Sequence, residues 1–352
     1  MLIQIERAQQ GTPESVAESS SENPRRPRVS RSLWGGLRNL VLRRPLLAVF
    51  QVNLRCNSSC GYCNLPLNVG RYEMSRQEIR TVFSGLYRDG LRLVFLQGGE
   101  PLVRRDLLGV LQDLHEIGFH LTLITNGTKL TPVLVEQFDQ LSMSLSISLD
   151  TLDRATYKLI RGADQLDEVL AGLDLLHHYR HPKFLTCIVS EVNRHEVSDV
   201  VGFARNRGFL PVVGAYHWDV GLYGKQDPSL MFDRQQAGLV FERLLEEETL
   251  PSGYLRQYAK DNVAWLNGRP LRPCDAGRYS IAIDASGNVS PCLSLPAAED
   301  LLDSSLSEIL ERFDRRVIQD CSDRSSCNRL DGRVIGSVIR HPIAAWQTPV
   351  SW

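Results

Sequence analysis

An apolar run, Leu46–Leu54, leads directly into a loop that reads Arg55-Cys56-Asn57-Ser58-Ser59-Cys60-Gly61-Tyr62-Cys63-Asn64. Three cysteines at this spacing, on a glycine-containing loop after a strand, can wrap one face of an iron–sulfur cube and leave one iron without a protein ligand. The same three thiols also suit a zinc site, or part of a four-cysteine site completed from elsewhere in the chain. Both options make the loop a metal centre that the rest of the chain has to present.

The 352 residues suffice for one large α/β domain and a smaller appended one. Lys+Arg number 40 against 41 Asp+Glu, a formal charge of −1, so no global field favours nucleic acid and none is expected as a partner. Met1–Glu6 shows no basic region followed by a long apolar run. The eight cysteines are therefore read as metal ligands and buried thiols of a reducing cytoplasm rather than as disulfides. No uncharged apolar segment is long enough to span a bilayer.

Residues 1–30, rich in Ser, Glu, Pro and Arg, read as a disordered tail. Over residues 31–45, Leu33, Trp34, Leu37, Leu40 and Val41 recur at helical spacing beside Arg31, Arg38, Arg43 and Arg44, without an acidic residue. Such a basic amphipathic helix either packs its apolar face on the domain or rests on an anionic membrane surface or a partner protein. From Leu46 to about residue 220, six apolar strands alternate with helices, which predicts a parallel sheet with crossover helices. Among the helix signals are the capping box Ser75-Arg76-Gln77-Glu78 and the Thr131 cap with Pro132 behind it. This pattern alone allows either an open doubly wound sheet or a partial barrel. Residues 221–270 read as a helical connector, 271–330 as a small domain holding a second cysteine group, and 331–352 as a tail packing back on the barrel.

In parallel α/β sheets ligands gather at the carboxyl ends of the strands, where the candidate residues fall. Gly98-Gly99-Glu100-Pro101 ends the second strand, Thr125-Asn126-Gly127 the third, and Ser146, Ser148 and Asp150 alternate along the fourth. Arg161-Gly162 and Asn193 follow the fourth and fifth, and Tyr216-His217-Trp218-Asp219 closes the sixth. Cys187, mid-strand and far from other cysteines, reads as a small buried residue. Of the second group, Cys274 and Cys292 flank a hairpin with a Gly287-Asn288 turn, and Cys321 and Cys327 follow a helix over Ser304–Phe313. Four thiols fully ligate one iron–sulfur cube or one zinc ion.

Taken in order, the C-x-x-x-C-x-x-C loop with its aromatic Tyr62, the Gly-Gly-Glu-Pro and Thr-Asn-Gly elements and Arg161-Gly162 resemble the radical S-adenosylmethionine (radical SAM) superfamily. The resemblance implies a partial (β/α)6 TIM-like barrel with a small C-terminal hairpin and helix domain. It also implies a 4Fe-4S cluster on Cys56, Cys60 and Cys63 whose open iron chelates SAM. Reductive cleavage would then give a 5′-deoxyadenosyl radical, with a flavodoxin- or ferredoxin-type reductant as electron source. Gly98, Gly99 and Glu100 would meet the SAM amino group. Asn126, Ser148, Asp150, Arg161 and Asn193 would contribute polar contacts, and Tyr62 would lie over the cluster or adenine. The second cysteine group resembles the SPASM and twitch modules, implying an auxiliary 4Fe-4S cluster on Cys274, Cys292, Cys321 and Cys327.

A closed auxiliary cluster suits electron transfer, so the first expectation is a two-electron oxidation, or a related radical rearrangement, of a small metabolite. His217 or Asp219 is the candidate proton acceptor. The alternatives are maturation of a ribosomally made peptide, chemistry on a membrane-associated lipid, and a non-catalytic iron–sulfur redox protein. The last has no use for a Gly-Gly-Glu-Pro element. A cytoplasmic enzyme, peripheral to the membrane if the basic helix binds there, is the resulting expectation.

Overall fold

The computed structural model describes residues 29–218, 225–324 and 327–341. Most of the expected tail, Asp219, Trp346 and Trp352 lie outside the described residues. Strands β1 (Leu47–Gln51), β2 (Leu93–Gln97), β3 (His120–Thr125), β4 (Ser144–Ser148), β5 (Lys183–Val189) and β6 (Leu210–Ala215) are all parallel and pair in chain order. Sequential order without a reversal point is the winding of a barrel, not of a doubly wound sheet. The sheet does not close, so the fold is a partial (β/α)6 TIM-like barrel. On the free edge of β1, β7 (Ser280–Ile283) pairs in parallel, with Leu47 opposite Ser280. The antiparallel β8 (Asn288–Ser290) and β9 (Glu299–Asp300) follow, so the second cysteine group's hairpin extends the same sheet.

α1 (Val29–Leu42) precedes the barrel, and its outer layer is α2 (Arg76–Arg88), α3 (Leu107–Ile117), α4 (Pro132–Gln140), α5 (Arg154–Arg161), α6 (Leu166–Leu175) and α7 (Val197–Asn206). These helices bury their apolar stripes against the strands, as Ile79, Val82, Phe83 and Leu86 of α2 illustrate. Both halves of the expected capping box are present at α2. Ser75 Oγ accepts from Glu78 N at 3.3 Å, and Glu78 Oε2 accepts from Ser75 N at 2.8 Å. Ser75→Ala is expected to cost about 1 kcal/mol, read as a lower urea midpoint at unchanged slope.

α8 (Arg234–Glu246) and α9 (Tyr254–Leu266) occupy the stretch expected to be a connector, and they also build the barrel wall. α9 packs on β6 and, across the open side, against α12 (Leu330–Arg340), which reaches β7. Buried Asn328 ties the two sides together: its Nδ2 donates to Asn262 Oδ1 at 3.0 Å, and its carbonyl accepts from Tyr258 Oη at 3.0 Å. α10 (Leu306–Arg312) and α11 (Arg315–Asp323) lie between the hairpin and Cys327.

α1 differs from the first of its two expectations. Its domain-facing side is Asn39, 1 % exposed, whose Nδ2 donates to Pro45 O at 2.7 Å and Asp89 O at 2.9 Å. Gly35 and Gly36 share that side and allow close approach to Arg92 and Leu46. The apolar residues Trp34, Leu37, Val41 and Leu42 point away from the domain and are exposed. Helical periodicity identifies an apolar face but not which way it turns.

Candidate active site between the two cysteine groups

Three elements grip the Cys56–Cys63 loop. At the end of β2, Gly99 N donates to Asn53 O at 3.0 Å and Glu100 N to Arg55 O at 2.8 Å, while Asn53 Nδ2 donates back to Glu100 O at 2.8 Å. The glycines are needed for this lacing, since a Cβ on Gly98 would lie 2.4 Å from Asn53 O and one on Gly99 2.1 Å from Arg55 O. At the end of α5, Ser59 N donates to Arg161 O at 3.0 Å and Gly61 N to Ile160 O at 2.9 Å. Gly162 caps that helix at φ +67°, and a Cβ there would strike Ser59 O at 2.4 Å. After β3, Asn126 Nδ2 donates to Asn57 Oδ1 at 2.9 Å and to Ser58 Oγ at 3.2 Å.

The cysteine loop borders a cavity of about 410 Å³ at the carboxyl ends of the strands. Cys56, Cys60, Cys63, Tyr62, Gly98, Gly99, Asn126, Ser148 and Arg161, all expected at the site, line it together. Glu100, Asp150 and Asn193, expected to touch the cofactor, turn their side chains into the wall instead. Glu100 is 1 % exposed and accepts from Thr125 Oγ1 at 2.5 Å, Asn126 N at 2.7 Å and Leu102 N at 3.0 Å. Burial pushes its carboxyl up, and these donors work against the rise. Asp150 is fully buried: it pairs with Arg161 Nη2 at 2.7 Å and accepts from Tyr62 Oη at 3.1 Å and Ile188 N at 2.8 Å. Asn193 Nδ2 donates to the carbonyls of Asp150 at 2.8 Å and Ile188 at 2.9 Å. All three position other groups: Glu100 holds Asn126, Asp150 holds Arg161 and Tyr62, and Asn193 holds Asp150.

His217 also differs from its expected role as proton acceptor. It lines the cavity, but its Nε2 accepts from Asn328 N at 3.0 Å, and its ring stacks on Trp265 at 4.4 Å. A backbone N–H can only donate, so the imidazole lone pair is already used. Burial, with Arg329 nearby, pushes His217 down to about 3, so it is a neutral structural residue. The groups that sequence reasoning missed are Gln51, Arg329 and Asp331. Arg329 and Asp331 line the same cavity and pair at 3.2 Å. Charged residues just after a last cysteine look like any solvated surface pair until α12 is seen to close the barrel.

Cys274, Cys292, Cys321 and Cys327 line one small cavity whose wall includes the same Arg329 and Asp331. Burial raises the thiols of Cys63 in the first group and Cys292 in the second, and Arg329 opposes the rise in both. One guanidinium thus acts on both groups. Three thiols line the first cavity and four the second, and the chemistry of both donor sets suits a thiolate-held metal cluster. The SAM side fits as well. Arg161 Nε is buried without a hydrogen-bond partner beside the cysteine loop, where a ligand carboxylate would satisfy it. Cys187 is buried, as expected, its thiol donating to Asp150 O at 3.6 Å.

The family model of the radical SAM superfamily matches residues 51–204. A probable GTP 3′,8-cyclase of Methanothermobacter marburgensis is 33 % identical over 266 residues, covering 71 % of this chain and 85 % of that protein. The chain belongs to the radical SAM superfamily. A second probable GTP 3′,8-cyclase, from Pyrococcus horikoshii, is 38 % identical over 152 residues, where the match spans 42 % of this chain and only 49 % of that protein. The crystal structure of Streptococcus suis SuiB bound to S-adenosylmethionine superposes with a TM-score of 0.62 at 16 % identity, covering 83 % of this chain and 72 % of that one. At that identity the likeness concerns the radical SAM fold. Membership of the superfamily implies a 4Fe-4S cluster and SAM.

Proposed function

We propose that this radical SAM enzyme oxidises its substrate by two electrons in the cavity between two iron–sulfur clusters. Cys56, Cys60 and Cys63 would hold the first, and Cys274, Cys292, Cys321 and Cys327 the second. The observation that carries this reading is the cavity lined both by the three-cysteine loop and by the Arg329–Asp331 pair, which also borders the four-cysteine site. When bound, the first cluster and SAM would supply a 5′-deoxyadenosyl radical able to accept a hydrogen atom from a substrate carbon.

The chain's own residues do the rest. Gly98 and Gly99 admit the methionine moiety to the backbone, Ser148 offers a hydroxyl, and Arg161, aimed by Asp150, takes the SAM carboxylate. Arg329 and Asp331 would orient the polar part of the substrate, and Asp331 would accept the proton lost in the oxidation, for which a cluster held by the four-cysteine site would supply the electron acceptor. A flavodoxin- or ferredoxin-type protein supplies the electron that starts each cycle. Removing the buried guanidinium should weaken SAM binding by about tenfold or more, since a charge-assisted hydrogen bond contributes about 1.5–3 kcal/mol. Titration of SAM into reconstituted Arg161→Ala, at unchanged iron content, checks this.

A second reading, GTP 3′,8-cyclase activity, is favoured by the similarity to the Methanothermobacter marburgensis protein over 266 residues. The deciding experiment is anaerobic turnover with SAM and dithionite, with and without GTP. Slow formation of 5′-deoxyadenosine, unaffected by GTP, supports the first reading. Loss of GTP in step with 5′-deoxyadenosine supports the second, and no 5′-deoxyadenosine under any condition refutes both.

A further inference from the structure

The barrel lumen continues below the cavity just described. A second cavity of about 500 Å³ shares Gln97, Ile124, Thr186 and Arg329 with the first and runs toward the amino ends of the strands. Its walls are largely apolar, with Phe95, Phe184, Leu255 and Val334 among them. It reaches the surface at His120, Ser142 and Arg180, which are exposed residues at or just before the starts of β3, β4 and β5. Apolar atoms dominate the lining of both cavities, and the lower one sets Thr122, Ser142, Ser144 and Ser146 among its hydrocarbon walls.

α1 lies at the same end of the barrel. Arg38 Nη2 and Asn39 Nδ2 donate to Asp89 O at 2.8 and 2.9 Å, and Gly35 abuts Arg92, the residue before β2. Its outward face carries Trp34, 71 % exposed, with Leu37, Val41 and Leu42 at 50 %, 72 % and 57 %. Arg38 within the helix and Arg43 and Arg44 just past its end are all exposed, with Arg38 and Arg44 near Asp89, and no acidic residue occurs between Val29 and Pro45. A second copy of the chain packed on this face about a twofold axis would set these arginines against themselves. An anionic surface complements them. A helix this short, with Trp and aliphatic residues on one side and arginines beside them, suits the headgroup layer rather than a bilayer span.

We propose that α1 docks the enzyme on an anionic bilayer, with the lower mouth of the lumen toward it, and that the substrate is an amphiphile. Its apolar chain occupies the lower cavity and its polar end reaches Arg329 and Asp331. This names the substrate class for the oxidation proposed above and rests on that reading only for the chemistry at the polar end.

The test is co-sedimentation of the reconstituted full chain with phosphatidylglycerol or phosphatidylcholine vesicles, which requires no SAM cleavage. Its failure is therefore distinguishable from failure of the oxidation reading. Binding is expected to the anionic vesicles, weakened at least about tenfold in Trp34→Ser/Leu37→Ser/Val41→Ser, whose exposed positions leave melting and iron content unchanged. In a second arm, a long-chain fatty acid bearing an anthroyloxy fluorophore should bind the wild type. Ser144→Trp, which fills the lower cavity, should bind it at least about tenfold more weakly at equal iron content. Equal binding to both vesicle types, or by the triple variant, overturns the docking. So does a wild-type dimer that the triple variant converts to monomer without vesicle binding. Equal fatty-acid binding by Ser144→Trp, or none by the wild type, overturns the chain site.

Discussion

Replacing Cys56, Cys60 and Cys63 together by alanine is expected to lower the iron content from about eight to about four per chain and to abolish 5′-deoxyadenosine formation. The two cysteine groups occupy separate cavities, and among the described residues the two linings share Arg329 and Asp331 alone. Losing the first set of ligands should therefore leave the second intact. The loop itself should survive, because its anchors are Asn53, Arg55, Asn57, Ser58, Ser59 and Gly61 rather than the thiols. Melting of the variant should accordingly fall only by the contribution of the lost cluster. Anaerobic iron and sulfide analysis checks the counts. About four irons in the wild type and none in the variant, with zinc present, would make the four-cysteine site structural. The proposed oxidation would then have no electron acceptor.

The sequence was most legible where local chemistry decides. The Ser75 box and the Thr131 cap with Pro132 match their expectations because caps and breakers are short-range signals. α5 was not anticipated. Its buried apolar positions, Tyr157 and Ile160, stand among Arg154, Lys158 and Arg161, too brief a pattern to read. Its consequence was nonetheless visible, because Arg161-Gly162 stands out as a motif.

Residue types at the site were also legible, but not the direction each side chain takes. The Gly-Gly-Glu-Pro element reads as a ligand turn, yet only the packed structure has Glu100 facing Thr125 and Asn126. Likewise Tyr216-His217 reads as a polar mouth, yet the backbone N–H of Asn328, distant in sequence, claims the imidazole. Arg329 and Asp331 carry no local signal, because their place in the cavity depends on α12 closing the open side of the barrel.

The same reasoning assigns opposite signs to two glycine-to-alanine changes. At Gly99 a Cβ would lie 2.1 Å from Arg55 O and 2.6 Å from Leu54 O, both backbone atoms immediately before Cys56. No rotamer change relieves such a contact, so the β2 turn and the cysteine loop must part. The hydrogen bonds from Gly99 N to Asn53 O and from Glu100 N to Arg55 O are then lost or stretched. Overpacking alone costs about 1–3 kcal/mol, and here it displaces the first cluster's ligands relative to the turn that admits SAM. Gly99→Ala is therefore expected to weaken SAM binding by at least about tenfold and to lower the iron held by the first group, with the second unaffected. At Gly202, inside α7, a Cβ would meet nothing within 4 Å. Gly202→Ala should instead stabilise the chain by about 0.5–1 kcal/mol through helix propensity, with SAM affinity unchanged. Thermal melts and SAM titrations on the two variants check both signs. A Gly99→Ala protein with wild-type SAM affinity would mean that the turn and the loop are not coupled through this contact.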